Sequence, residues 1–499
     1  MIAWTIYISF AGAFGLLFMP RFFTRWIALA TALAGFVISL LAFFEMQNPR
    51  MLTTVVRATW IPALGSQFHL AADGISLTLA LVTGLTAVSA VLFSWDVDHR
   101  PNEFFFWLLM VIGGSYGVFL SADLFLFFVF YELVIVPKYF LIAIWGSTNK
   151  EYGAMKLTLY SFLGGILVFL GIVATYAAAA KLNPASAFDL QLLARHHFTP
   201  EFQAWVFPVM FLGFAILAGI WPLHTWAPTG HVAAPTAGSM LLAGIVMKLG
   251  AYAGLRIAIN LFPEGFQMWR NWLMVLALVG IVYAAAVALR QRDLKFVIGY
   301  SSVSHMGFAL LGLATGNALG IGGAVLQMFS HGVIAALLFA VAGRMIYRRT
   351  HTRDLDELSS MNLRRALPFA AFSFVIGSAA SMGIPGFSGF AAEITILIGV
   401  WRSYPQAILI AGVGMVLVAA FTLRALKKTF FADSLFNEGT SGSASVTVSG
   451  APFEPITVAE KLGAGLLIFA TLAVGLFPRM LLDRILPAVE ALRIFKGVN

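Results

Sequence analysis

The chain has 499 residues, of which 60% are hydrophobic and only 11% carry a charge. A soluble globular protein has about 25% charged residues, so the composition excludes that class and indicates an integral membrane protein. The absence of cysteine excludes disulfide bonds and cysteine-ligated iron–sulfur clusters, and the net charge of +9 does not indicate nucleic-acid binding, because Lys and Arg cluster at the ends of apolar runs.

Apolar runs of about 20 residues, the length that crosses a bilayer, recur along the whole chain. They predict an all-α, polytopic membrane protein with about 14 transmembrane helices. In chain order the runs lie near 2–19, 26–44, 74–95, 104–120, 122–145, 157–180, 203–221, 237–261, 272–289, 296–314, 319–343, 366–400, 405–423 and 459–477. The longest polar connections are 45–73, 181–202, 344–365 and 429–456, and the last of these is rich in Gly and Ser, which predicts a flexible loop.

The distribution of Lys and Arg predicts the orientation. If the N-terminus lies outside, the inner loops hold more Lys and Arg than the outer loops, and segment 344–365 contributes most. The positive-inside rule therefore predicts that both termini lie on the outer, periplasmic side. Arg21 and Arg25 follow the first apolar run instead of preceding it, so a cleavable signal peptide is not expected.

Two spans contain helix breakers. Segment 217–239, "LAGIWPLHTWAPTGHVAAPTAGS", has three prolines, and segment 381–397, "SMGIPGFSGFAAEITIL", has Pro385 followed by Gly386. Each is the fourth span of a five-span block, about 104–261 and about 272–423. Broken helices at matching places are typical of internally repeated transporters. We therefore predict that 1–499 is one transmembrane domain with two inverted five-helix repeats, in which helices 7 and 12 are broken.

Ionisable side chains at membrane depth are few, and each costs about 2.5–3.5 kcal/mol to insert. This cost indicates a function, although a structural carboxylate or lysine is the alternative for each, and a hydrogen-bonded core histidine is equally plausible for either histidine. The candidates are Glu132, Lys138, Lys248, His305, His331 and Glu393, with Lys295 and His224 as secondary candidates nearer the span ends.

This set of side chains is suited to moving protons. Burial brings the proton affinities of lysine and carboxyl groups closer together, so that a proton can pass between them. A nearby glutamate then decides whether a lysine keeps its proton. Metal binding is disfavoured because the histidines lack ligand spacing and no cysteine is present. No Ser–His–Asp set supports nucleophilic catalysis.

Several long motifs resemble those of a known family. "LHTWAPTGHVAAPTAGSMLLAGIVMKLGAYAGLR" and "DLKFVIGYSSVSHMGFALLG" resemble the antiporter-like membrane subunits of complex I, the proton-pumping NADH:quinone oxidoreductase. "FYELVIVPKYFLIAIWGS" and "GIPGFSGFAAEITIL" resemble its M-type subunit, chain 4. The resemblance extends from "DGISL" at 73–77 to beyond Glu393 and so covers nearly the whole chain.

The resemblance implies a fourteen-helix fold with inverted repeats and one proton path. It matches Glu132 to the glutamate of helix 5, Lys248 to the central lysine of helix 8 and Glu393 to the terminal glutamate of helix 12, with His305 and His331 leading outward. The implied protein is a non-redox subunit of an H⁺-translocating enzyme in the bacterial cytoplasmic (inner) membrane, where neighbouring antiporter-like subunits are its partners. No cofactor is expected in this chain, and NADH, FMN, iron–sulfur clusters and quinone are expected in partner subunits.

One departure from the family concerns a lysine. The family usually has one on helix 7, five residues before the proline of a P-x-H-x-W motif, but here that position is Leu217. Lys138 stands where the family is usually apolar, so we predict that it pairs with Glu132 and replaces the missing lysine beside Leu217. Six helical residues leave two side chains about 120° and about 9 Å apart, and Pro137 between them is expected to kink the helix.

Two other functional classes stay open on the sequence alone. The same broken helices and buried lysine would serve a multisubunit Na⁺/H⁺ antiporter without a redox partner. They would also serve the membrane subunit of an energy-converting hydrogenase. A purely structural scaffold is disfavoured by the number of buried ionisable groups.

Overall fold

The computed structural model describes residues 1–180, 187–432 and 453–495 and consists mainly of helices. Twelve helices of this part are long and apolar enough to cross a membrane. Helix 1 and the two halves of helix 12 are shorter, and with them the described residues contain the predicted fourteen spans. The Gly/Ser-rich run at 437–450 lies outside the described residues.

The spans are numbered in chain order. The first seven are helix 1 (Trp4–Leu16), helix 2 (Arg21–Glu45), helix 3 (Gly74–Leu92), helix 4 (Pro101–Leu120), helix 5 (Leu124–Leu133 and Ile135–Trp145), helix 6 (Lys150–Ala180) and helix 7 (Pro200–Ala218 and Trp226–Ala233). The next three are helix 8 (Thr236–Leu241, then Leu242–Val246, Met247–Ala253 and Gly254–Ile259), helix 9 (Pro263–Arg290) and helix 10 (Leu294–Ala314). The last four are helix 11 (Ala318–Ala340, then Val341–Ile346 and Tyr347–Thr350), helix 12 (Pro368–Ser381 and Ser388–Ser403), helix 13 (Ala407–Leu426, then Lys427–Phe431) and helix 14 (Val458–Leu476).

Shorter elements connect the spans. Strands β1 (Thr53–Ile61) and β2 (Ser66–Ala72) form an antiparallel hairpin between helices 2 and 3. The sequence analysis did not predict this hairpin in the polar connection 45–73. The short helices are Pro62–Leu64, Leu190–Leu193, Leu355–Ser359, Leu363–Ala366, Arg479–Glu490 and Arg493–Phe495.

Four stretches of the long helices are π-helical. They are Leu242–Val246 and Gly254–Ile259 in helix 8, Val341–Ile346 in helix 11 and Lys427–Phe431 in helix 13. A π turn bonds each N–H to a carbonyl five residues back and is frequent at functional sites. The two in helix 8 lie directly before and after the seven residues that contain Lys248.

Helices 7 and 12 are both broken, as predicted. Residues 219–225 are not helical and contain Pro222, and residues 382–387 are not helical and contain Pro385. Proline removes a backbone donor and clashes with the preceding turn, and glycine allows the positive φ that the second break needs, at Gly383 (+67°) and Gly386 (+99°).

Helix 5 is interrupted at Val134, between its two segments. The ring of Pro137 removes the hydrogen bond to the carbonyl of Leu133 and clashes with it, which explains an interruption at this point. The interruption separates Glu132 on the first segment from Lys138 on the second, and the expected kink stays a prediction.

Burial differs strongly among the spans. Helices 8 and 11 are buried along the whole apolar stretch (100%), whereas only 33% of the apolar stretch of helix 2 and 39% of that of helix 6 are buried. The core of the molecule therefore lies around helices 8 and 11, and polar groups on these helices are shielded from lipid. Lys248 and His331 belong to this core.

Candidate functional site

Lys248 is completely buried at the centre of helix 8. Its Nζ donates to the carbonyl of Ala243, in the π turn one helical turn earlier, and lies 2.7 Å from Nδ1 of His331 on helix 11. Lys248 therefore points into the protein and away from lipid, as the prediction of a proton path requires.

His331 and His305 stack on each other. Their ring centroids lie 5.5 Å apart with an angle of 19° between the planes. On the side away from His331, Nε2 of His305 lies 3.7 Å from Oε1 of Glu393 on helix 12. The structure thus brings together four of the predicted residues, in the order Lys248, His331, His305, Glu393. The sequence analysis named His305 before His331 on the way from Lys248 to Glu393, and the structure reverses this order, because His331 is the histidine next to Lys248.

His305 has acceptors at both ring nitrogens. Nδ1 lies 2.8 Å from the carbonyl oxygen of Ser301, and Nε2 lies 3.0 Å from that of Ser381. A neutral imidazole can donate to only one of two carbonyls, whereas the imidazolium can donate to both. This surrounding therefore suits a ring that holds an extra proton next to the carboxyl group of Glu393.

Glu132 and Lys138 do not form an ion pair within 4.0 Å among the described residues. Glu132 is half-buried, and its carboxyl group lies against Gly165 of helix 6, where an added Cβ would overlap with Oε1. Lys138 is 3% exposed. In the described part of the chain, neither Nζ of Lys138 nor Oε1 of Glu132 has a hydrogen-bond partner. The two groups therefore do not contact each other in this structure, and their role as a switch pair stays a prediction.

Lys138 faces helix 8. It lines a cavity of about 10 Å³ together with Val111 of helix 4 and residues of helix 8 that include Leu242 and Val246, both in the π turn before Lys248. Such a volume is about what one water molecule needs. Leu217 is buried on helix 7 and is not among the residues that line this cavity. The idea that Lys138 replaces a helix 7 lysine stays a prediction.

The two secondary candidates lie apart from the central row. Lys295, at the start of helix 10, donates from Nζ to the carbonyl of Ala234 at 2.9 Å and lies 3.4 Å from Oγ of Ser239. His224 is buried in the break of helix 7, packs edge-on against Tyr283, and neither ring nitrogen has a hydrogen-bond partner among the described residues.

The sequence analysis missed His231. This residue is fully buried on the second half of helix 7, stacks on Phe339, and has no hydrogen-bond partner at either ring nitrogen in the described residues. Its carbonyl accepts from Ser239, which in turn lies near Lys295. The sequence did contain a signal for His231, namely a histidine within a broken membrane span, because polar groups at membrane depth often mark ion paths.

No group of three or more His, Asp or Glu side chains within the described residues could hold a metal ion. The central row is instead a set of four buried ionisable side chains, Lys248, His331, His305 and Glu393, in close succession. It crosses the core laterally, from helix 8 through helices 11 and 10 to helix 12, next to the break of helix 12.

The chain is similar to known proteins over most of its length. A family model described as "NADH:quinone oxidoreductase/Mrp antiporter, TM" matches residues 121–419. The chain is 37% identical over 464 residues to the "NAD(P)H-quinone oxidoreductase chain 4 1" of Synechococcus elongatus, covering 91% of this chain and 84% of the relative. It is 35% identical over 477 residues to the "NADH-quinone oxidoreductase subunit M" of Rhodobacter capsulatus, covering 94% and 90%.

Solved structures show the same architecture. A chain of respiratory complex I from Thermus thermophilus superposes with a TM-score of 0.88 at 28% identity, covering 99% of this chain and 100% of that one. A chain of the Mrp complex from Dietzia, with a TM-score of 0.83, 20% identity and coverage of 100% and 98%, shares the fold. Because the family model covers more than half of the chain and the relatives exceed 30% identity along most of its length, the chain belongs to the NADH:quinone oxidoreductase/Mrp antiporter family of transmembrane proteins.

Proposed function

We propose that this chain is a non-redox, proton-translocating subunit of a respiratory NADH:quinone oxidoreductase, the M-type or chain 4 subunit. The observation that carries the proposal is the buried row Lys248, His331, His305 and Glu393, in a chain whose relatives are subunits with that name. The complex is the enzyme, and this chain contributes the movement of protons.

In this mechanism Lys248 is the central proton store. Its ammonium group can pass a proton to Nδ1 of His331 at 2.7 Å. His331 then releases its other proton from Nε2, which has no hydrogen-bond partner among the described residues, to a water molecule that carries it on to His305 and Glu393. His305 can donate to two carbonyl groups while it carries the extra proton. The row then delivers the proton to the break of helix 12, where backbone polar groups border it.

The energy for pumping comes from outside the chain. NADH, FMN, iron–sulfur clusters and quinone belong to partner subunits in this proposal, and quinone reduction there changes a charge near Glu132. At an effective dielectric constant of about 20, a unit charge about 8 Å away changes the energy by about 2 kcal/mol. The unpaired Glu132 and Lys138 are suited to receive that change, and Lys138 faces the π turn directly before the stretch that contains Lys248.

The remaining parts of the proposal concern placement. We place the chain in the bacterial cytoplasmic membrane, with both termini on the periplasmic side and with neighbouring antiporter-like subunits as partners. Segments about 104–261 and about 272–423 are the two inverted repeats, supported by the breaks of helix 7 and helix 12, each in the fourth span of its segment.

The proposal is tested by Lys248→Met in the complete complex. We expect that assembly survives and that proton pumping in membrane vesicles falls at least about tenfold, because the row loses its central donor. Pumping is measured with a pH-sensitive dye while NADH oxidation is followed. Lys461→Met, at an exposed lysine of helix 14, is the matched control and should pump normally.

Two outcomes would contradict the proposal. Unimpaired pumping by assembled Lys248→Met would leave this lysine with a structural role only. Pumping that requires Na⁺ and stops when K⁺ replaces it would instead assign the chain to the Na⁺/H⁺ antiporter class, which shares the fold.

A further inference from the structure

A second line of buried polar side chains leads away from Lys248 along helix 8. Tyr252 and Arg256 follow Lys248 at intervals of four residues, so the three side chains lie on the same side of the helix, each about 6 Å farther along its axis. Lys248 is 0% exposed, Tyr252 1% and Arg256 5%. The line runs toward the membrane face that carries the β1–β2 hairpin.

A large cavity lies at the far end of this line. Its volume is about 1130 Å³, and its walls include Arg50, Asp73, Gln191, Arg256 and Arg493. Lys248 and Tyr252 are not among its lining residues. Asp73 and Arg256 therefore form the boundary between this cavity and the interior of helix 8, only about 12 Å from Lys248 along the helix axis.

The boundary is closed by a buried ion pair. Nη2 of Arg256 donates to Oδ2 of Asp73 at 2.5 Å, and the other carboxylate oxygen of Asp73 accepts from the backbone N–H of Ser76 at 2.9 Å. Asp73 is the residue that caps the start of helix 3. The pair thus joins the end of helix 8 to the start of helix 3.

Tyr252 fills the space beneath the ion pair. Its hydroxyl donates to the carbonyl of Phe119 at 2.9 Å and lies 3.2 Å from Oγ of Ser76. Its ring packs edge-on against the ring of Phe119, with centroids 5.2 Å apart, and the guanidinium carbon of Arg256 lies 5.6 Å from the centre of the tyrosine ring. This packing leaves Tyr252 only 1% exposed.

The chemistry of these groups does not pass protons. A hydrogen-bonded chain conducts only if each member can accept one proton and release another. Arginine has donors but no acceptor and does not lose its proton in proteins. Tyr252 directs its hydroxyl hydrogen to a backbone carbonyl, and Asp73 uses both oxygens on fixed donors.

We propose that Asp73, Tyr252 and Arg256 form a plug that closes a direct route from Lys248 to the cavity of about 1130 Å³. The proton on Lys248 then leaves sideways to His331 and cannot pass along helix 8. This inference rests on the proposed function, since it concerns a proton that Lys248 carries. Without the plug, Lys248 would exchange protons directly with the hairpin face, and the gradient would be lost through the subunit.

The test uses the complete complex in sealed membrane vesicles. A pH gradient is imposed while no NADH is present, and its decay is followed with a pH-sensitive dye. We expect Arg256→Gln to speed the decay by about tenfold, because the shorter, neutral side chain no longer blocks proton transfer and leaves room for water molecules that can pass protons. NADH oxidation should persist while the gradient that it builds falls.

Two further variants make the test specific. Arg493→Gln is the same change in the wall of the same cavity, away from the ion pair, and should leave the decay unchanged. Asp73→Asn combined with Arg256→Gln removes both charges together and so avoids an unpaired buried charge, which would threaten assembly. It should also leak.

The results separate the plug from the proposed function. Adding Lys248→Met to Arg256→Gln should stop the leak, because the route passes through Lys248. The plug is overturned if Arg256→Gln and the double Asp73/Arg256 variant assemble and their pH gradients decay as slowly as that of the unaltered complex. Loss of pumping in Lys248→Met alone would still support the proposed function in that case. A leak that persists after Lys248→Met would place the route elsewhere and would also overturn the plug.

Discussion

Glu132 and Lys138 are the acidic and the basic side chain of helix 5, and each has an atom without a hydrogen-bond partner in the described residues. These atoms are Oε1 of Glu132 and Nζ of Lys138. At membrane depth an unpaired charge is costly, and such groups usually serve a function. The helix is interrupted between them at Val134, so the two side chains lie on different segments.

We expect Lys138→Met to lower coupled proton pumping by about tenfold while NADH oxidation with an uncoupler persists, because Glu132 loses its nearest cation. The measurement is the initial rate of acidification in vesicles. Adding Leu217→Lys tests the relocation directly, since it returns a lysine to helix 7 and should restore part of the pumping. Full pumping by Lys138→Met alone would refute the idea that this lysine replaces the one on helix 7.

Individual site residues could be predicted where the sequence places an ionisable side chain in a membrane span, because such a placement costs free energy. Lys248 and Glu393 stand alone in apolar segments, and the structure buries both and connects them through His331 and His305. The contacts themselves join helices that are distant in sequence, so no local pattern contains them. His231 escaped notice because it lies in a segment rich in proline and glycine, which favours a loop as much as a span.

Helix 12 shows how one broken element positions one side chain. Gly383 lies in the break with φ of +67°, and a Cβ added there would lie 2.5 Å from Oε2 of Glu393. Gly386 lies three residues later with φ of +99°, and a Cβ added there would meet nothing within 4 Å. The two glycines thus share the need for a positive φ, but only Gly383 touches the path.

Gly383→Ala should therefore impair pumping, and Gly386→Ala should not. Both variants introduce backbone strain of about 1–2 kcal/mol, so both should lower the thermal unfolding temperature to a similar degree. Only Gly383→Ala also displaces the carboxyl group of Glu393 from His305. Equal pumping by the two variants would show that the position of this carboxyl group does not matter.

The elements could be predicted to different extents. The breaks of helices 7 and 12 followed from Pro222, Pro385 and Gly386, because these residues cannot continue a helix. The hairpin was missed because most residues of β1 are exposed on both faces of the strand. The sequence therefore lacks the alternation of apolar and polar residues that predicts a strand. The π turns have no sequence signal, since tertiary packing decides where a helix accepts a wider turn.

At the scale of the whole molecule, the β1–β2 hairpin holds together segments that are far apart in the chain. Asp189, between helices 6 and 7, contacts Arg57 of β1 at 3.0 Å and His69 of β2 at 3.4 Å. Asp123, which caps helix 5, accepts from Ser66 of β2. The hairpin is therefore tied to the start of the helix that carries Glu132 and Lys138.

The charge on Asp189 should contribute to stability over a defined pH range. Burial raises the pKa of Asp189, but the hydrogen bonds of His69 and the Leu192 N–H and the charge of Arg57 outweigh burial and hold this pKa below its usual value. A carboxyl group with a lowered pKa stabilises the fold above its unfolded pKa of about 3.9, and this contribution is lost as the pH falls through the folded pKa.

Asp189→Asn should accordingly lower the free energy of unfolding by about 1.5–3 kcal/mol at pH 7, the usual contribution of hydrogen bonds to a charged group. Thermal unfolding of the purified protein in mild detergent measures the change. The difference from the unaltered protein should shrink below about pH 4. Asp98→Asn, at an exposed position, is the control. A difference that stays constant from pH 7 to the acidic range would exclude the charge of Asp189 as its cause.

The π turn at Leu242–Val246 has a consequence for which deletions the protein can tolerate. A turn that bonds five residues back holds one residue more than an α-helical turn. Deleting one residue of this stretch would therefore restore an α-helical turn and leave Lys248 in about the same orientation toward His331. The same deletion in the α-helical stretch Thr236–Leu241 would instead rotate everything before it by about 100° relative to Lys248. The π turn is thus the place where helix 8 can lose a residue and still keep the alignment of donor and acceptor.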